Sequence, residues 1–142
     1  MTRVDFYVLA RADEHSRQAL ACRLAEKAYR LENTVYIHTK SRGDAESLDD
    51  LLWTFRDGSF VPHELVDTAT DDTAAPVVIG SDAAGVAPRD LLINLCDQIP
   101  AFADAFPRVA EVVNADEECR QLSRKRFAQY RDKGLAIQTH KL

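Results

Sequence analysis

The stretch "VDFYVLARADEHSRQALACRLAEKAYRLENTVYIH", residues 4–38, decides the fold class. Its first part, "VDFYVLA" (4–10), is a short run of β-branched and aromatic residues that reads as a buried strand. Asp13 offers a helix N-cap, and Leu20, Leu24, Ala28 and Leu31 recur at spacings that make one apolar helical stripe. Asn33 offers a stop, and "TVYIH" (34–38) supplies a second strand. A strand, a helix and a strand in this order form the seed of a parallel sheet, because parallel neighbours need a crossover between them.

The same alternation continues. "SRGDAESLDDLLWTF" (41–55) reads as a helix capped by Asp44, with Leu48, Leu51, Leu52 and Phe55 on its buried stripe. At about 100° per residue, Trp53 falls on nearly the opposite side and should be exposed. "DGSFVPH" (57–63) turns the chain at Asp57–Gly58 and leaves Phe60 just ahead of the extended dipeptide Val61–Pro62. Residues 67–76 read as an acidic surface loop before the strand "VVIG", and "SDAAGVAPR" as a second loop before the strand candidate "DLLINLC". "PAFADAF" reads as a short helical turn and "RVAEVVN" as a further strand. Asp116 then caps a last helix that runs to about Lys133, with Gly134 as its stop. The expected architecture is one α/β domain over residues 1–142, an open and mostly parallel Rossmann-like sheet with helices on both faces.

The totals fit one domain. The chain has 142 residues, enough to bury a core without disulfides or metal, with 46% hydrophobic and 29% charged residues. Its longest apolar runs fall far short of the roughly 20 residues of a membrane span. The N-terminus reads as a strand rather than a secretory signal, and Cys22, Cys96 and Cys119 form no C-x-x-C pair, which together predict a reduced, cytoplasmic protein. The net charge of −5 is unevenly placed. From Cys119 onward seven Lys/Arg face one acid, giving +6, while residues 1–118 hold eleven basic and twenty-two acidic residues, giving −11. A basic segment on an acidic body predicts one local site for an anionic partner.

Motifs for chemistry fail on inspection. "GSDAAG" (80–85) has two glycines at P-loop spacing, but Val86 and Ala87 stand where the phosphate-binding Lys and the magnesium-binding Ser or Thr belong. No G-x-G-x-x-G follows the first strand, and His15, His38, His63 and His140 have no zinc-ligand spacing. No cofactor and no metal are expected. His38, at a strand's C-terminal end, leaves open a small nucleotide or thiol hydrolase as an alternative.

Two surfaces carry partner chemistry instead. Trp53, Phe60 and the stiff "VPH" segment with Pro62 and His63 predict a rigid apolar patch of the kind that anchors protein interfaces, and in isolation they predict weak self-association. On the last helix Arg120, Arg124, Phe127 and Arg131 share one face. Guanidinium groups beside an aromatic ring suit an acidic peptide with a hydrophobic end, whereas single-stranded DNA calls for several stacking rings and a positive groove. Strong direct nucleic-acid binding is not expected.

These residues also carry a resemblance. "LLWTFRDGSFVPHEL", "PRDLLINLC" followed by "FADAF", and "CRQLSRKRFAQYRDKG" together resemble the chi subunit family of bacterial DNA polymerase III, end to end. The resemblance implies a non-catalytic accessory subunit of the clamp-loader assembly with a Rossmann-like fold and no working nucleotide site. It implies a psi subunit on the patch of Trp53, Phe60, Pro62 and His63. It also implies the acidic C-terminal tail of single-stranded DNA-binding protein on Arg120, Arg124 and Phe127. A DNA-repair helicase competing for the aromatic patch is the alternative partner. Where the family pattern can carry a further Lys just after the last helix's aromatic, this chain has Ala128, and Arg131 or Lys125 would take over that charge. The end "AIQTHKL" matches weakly and receives no role.

Overall fold

The computed structural model describes residues 2–58, 60–66, 75–81 and 87–142. They form seven strands: β1 (Arg3–Val8), β2 (Val35–His38), β3 (His63–Leu65), β4 (Val77–Gly80), β5 (Leu91–Asn94), β6 (Arg108–Val113) and β7 (Ala136–Lys141). Their order across the sheet is β3-β4-β2-β5-β6-β1-β7, and every pairing among the described residues is parallel. The expected α/β class is correct. The first strand–helix–strand unit is right in its elements, but β6 and β5 lie between β1 and β2. Two strands escaped the sequence reading: β3, only three residues long, and β7, in the segment given no role.

Three helices cover the sheet: α1 (Glu14–Arg30), α2 (Arg42–Thr54) and α3 (Glu117–Asp132), with a short 3-10 turn at Ala103–Ala105. The strands' period of two splits the core. Val35, Ile37, Val77 and Ile79 join Leu20, Ala25, Leu48 and Leu52 under α1 and α2. Tyr36, Val78, Val4 and Phe6 turn the other way and join Phe106 and Tyr130 under α3. The loop of residues 67–76 falls mostly outside the described residues, as does most of the "GSDAAG" stretch.

The helix ends show which cap signals prevail. Asp13 and Asp116 cap α1 and α3 as read, each accepting from a backbone N–H three residues on. For α2 the cap is Ser41 rather than Asp44: the Ser41 hydroxyl accepts from Asp44 N–H, so the helix starts earlier and Asp44 sits in its first turn. Helix α1 ends through Glu32, whose φ is +63°, with Asn33 N–H bonded to the Ala28 carbonyl and Glu32 N–H to that of Tyr29. This bonding pattern moves the left-handed residue one position before the expected stop and leaves Leu31 exposed. Gly134, with φ +75°, closes α3 the same way and directs the chain into β7.

Candidate protein-docking sites

The first surface is the exit of α2 and the start of β3. Trp53 is off the buried stripe and 53% exposed, and Phe60, beyond the Asp57–Gly58 turn, is 63% exposed. Their ring centroids are 5.6 Å apart. Val61 is buried and anchors the segment between them and the sheet. The His63 side chain is fully buried, a placement the sequence did not reveal. Its Nδ1 faces the Val61 carbonyl at 2.7 Å and its Nε2 the Asp49 carbonyl at 3.2 Å, while its ring backs Trp53 at a centroid distance of 4.6 Å. His63 therefore supports the indole from beneath, and the exposed patch consists of Trp53, Phe60 and the half-buried Pro62.

The second surface is α3 and what it covers. Glu111, in the middle of β6, is completely buried on the α3 side. Its Oε1 accepts from Arg126 Nε at 3.0 Å, and its Oε2 accepts from Asn94 Nδ2 at 2.9 Å and from the Tyr130 hydroxyl at 2.7 Å. Burial and the Glu111 carboxylate push the Tyr130 phenol up, so the hydroxyl remains a donor. Arg126, counted with the basic stretch in the sequence, is thus an internal ion-pair partner that fixes the seat of α3.

That seat leaves Arg120 and Arg124 at a cavity of about 550 Å³. Its floor is apolar, from Val8, Leu9, Ala10 and Val113, and Leu142 and Lys141 stand at its margin. Among the described residues Arg120 Nε is buried with no hydrogen-bond partner, and Arg124 makes a 4.0 Å exposed pair with Glu117. Phe127 is 36% exposed and leans on Phe6 at 5.5 Å, one turn away from the cavity lining. Arg131 is also outside the lining, 3.5 Å from Asp132, and so is Lys125. The structure therefore brings Arg120 and Arg124 together over an apolar floor, with Phe127 adjacent and Arg131 farther along the helix.

The crevice at the C-terminal ends of the strands, where an α/β enzyme would work, has a different character. Glu14, Asp44, Asp97, Asp116 and Glu118 line it, and its cations are engaged: Arg17 with Glu14, Lys40 with Asp97, Arg126 with Glu111. Carboxylates in that number oppose a phosphate ligand. His38 Nδ1 lies 3.0 Å from the Tyr36 hydroxyl. Burial pushes the Cys22 thiol up to about 12 and the Cys96 thiol up to about 11, so neither is a thiolate near neutral pH. Among the described residues no group of three or more His, Cys, Asp or Glu could hold a metal ion.

Comparison with known proteins decides the family. The profile of the family "DNA polymerase III chi subunit, HolC" matches residues 1–138. The chain belongs to the DNA polymerase III chi subunit family. DNA polymerase III subunit chi of Pseudomonas aeruginosa is 45% identical over 142 residues, spanning 100% of this chain and 98% of that protein. Chi of Haemophilus influenzae is 31% identical over 134 residues (94% and 93%), and chi of Escherichia coli 30% identical over 122 residues (86% and 83%). Membership in this family gives the protein a role in DNA replication. A chain in a solved structure of S. cerevisiae Dbp5 bound to Gle1 and IP6 aligns with a TM-score of 0.64 at 10% identity, over 98% of this chain and 42% of that one, a likeness of fold alone. Among the described residues no helix is long and apolar enough to cross a membrane.

Proposed function

We propose that this chi-family protein is a non-catalytic adaptor of the replication machinery. It joins the psi subunit of the clamp loader, at Trp53, Phe60 and Pro62, to the acidic C-terminal tail of single-stranded DNA-binding protein, at Arg120, Arg124 and Phe127. The observation that carries this reading is the placement of an exposed aromatic patch and a cation-rimmed apolar cavity at opposite edges of one sheet, beside β3 and β7. Two partners can then be held at once without touching. At the tail site the guanidinium groups of Arg120 and Arg124 donate to carboxylates, and the apolar floor takes the hydrophobic end.

The test is titration of the intact protein with a synthetic acidic peptide ending in Pro-Phe, at low and high salt. The wild type should bind more weakly as salt rises, and Arg124→Ala should lose about 1 to 3 kcal/mol, the range for a hydrogen bond to a charged group. No binding, or binding indifferent to salt and to the substitution, would overturn the tail reading.

A further inference from the structure

The last segment, assigned no role from its sequence, lines the same cavity as Arg120 and Arg124. Strand β7 runs parallel to β1 with Val4 opposite Ile137, Phe6 opposite Thr139 and Val8 opposite Lys141. Val4 and Phe6 belong to the core under α3 and Ile137 packs against it, so the period of two puts Lys141 on the α3 face as well. Gln138 and His140 turn to the opposite face. There Gln138 accepts from Arg3 at 2.7 Å, and His140 Nε2 is 3.0 Å from Asp5 Oδ1 while its ring stacks on Tyr7 at 4.8 Å. These contacts lock the register, and a one-residue slip would carry Lys141 to the wrong face. Beyond it, Leu142 N–H donates to the Val8 carbonyl at 2.9 Å and holds Leu142 at the cavity margin.

We propose that Lys141 is the third cation of the acidic-tail site, lining from β7 the cavity that Arg120 and Arg124 line from α3, and that Leu142 extends its apolar wall. The inference rests on the tail reading above. With Ala at position 128, neither Arg131 nor Lys125 lines the cavity, whereas Lys141, reached through the sheet rather than along the helix, does. Charge complementarity fixes the occupant as a peptide rich in carboxylates with an apolar end.

The same acidic Pro-Phe peptide tests it on the full chain. Lys141→Ala should weaken binding about two- to fivefold, the range for one exposed charge pair, and Lys141→Glu more strongly. Arg131→Ala should leave the affinity unchanged, and Leu142→Ala should weaken it with no change in salt dependence. Thermal melting of each variant checks that β7 remains in place. If Arg124→Ala weakens binding and Lys141→Glu does not, the Lys141 proposal is overturned while the tail reading stands. If Arg131→Glu is as damaging as Lys141→Glu, the effect is one of net charge and the proposal is again overturned. A wild type that fails to bind the peptide overturns both.

Discussion

The two candidate docking surfaces are built in opposite ways. The aromatic patch comes from one short stretch: Trp53, Phe60 and Pro62 lie within ten residues, and its support, His63, is the next residue on. The cation-rimmed cavity draws on β1, β6, α3 and the end of β7, residues separated by most of the chain. The first surface depends on local turn and helix geometry, and the second on every element of that half of the sheet seating correctly. The first should therefore behave as a rigid, salt-insensitive anchor, and the second as a salt-dependent and more fragile site.

The largest effect should come from the buried pair beneath α3. Arg126→Ala removes the ion-pair partner of Glu111 inside the core, which should cost about 3 to 5 kcal/mol of stability. Chemical denaturation measures it, and a loss under 1 kcal/mol would show that the Asn94 and Tyr130 bonds suffice to hold Glu111. Next, Trp53→Ala should remove about 2 to 4 kcal/mol of psi binding, as expected for a central aromatic anchor, with little change in folding stability. Calorimetry at two salt concentrations should give the same loss at both. A salt-dependent loss would erase the contrast between the surfaces.

A smaller effect concerns what pins β7. Burial works to raise the Asp5 pKa, but its hydrogen bond to His140 and the charges of Arg3 and Arg108 together outweigh it and hold Asp5 below the ordinary carboxylate value. A carboxyl with a lowered folded-state pKa contributes stability above its unfolded pKa and loses it as pH falls through the folded value. Asp5→Asn should cost about 1 to 2 kcal/mol at neutral pH, and the gap from wild type should close below about pH 4. A gap that persists into acid would assign the effect to packing instead.

What the sequence revealed divides along the same line as the two surfaces. Trp53 was legible as exposed because Leu48, Leu51, Leu52 and Phe55 define a stripe that excludes it, a pattern contained in one helix. Phe60 was legible from the turn before it. Strand β3 was not, since three residues beside a proline show no alternation and become a strand only by pairing with β4. Strand β7 was missed because "AIQTHK" alternates weakly and its meaning comes from β1, more than a hundred residues away. For the same reason Arg126 was counted with the basic segment rather than paired with Glu111 of β6. Lys141 escaped along with the strand that carries it.

The strand order has a mechanical consequence. Seven strands leave six gaps of about 4.8 Å, so the outer strands β3 and β7 stand about 29 Å apart. With a partner on each edge, tension between them would run across the strands and load each ladder in turn rather than shear any one. The ladder of β3 on β4 has three residue pairs and lies at the sheet's edge, whereas β5 on β6, also with three, is buried at the centre and β7 on β1 has six. A strained assembly would part first at His63–Leu65, beside the aromatic patch, while the basic edge kept its hold.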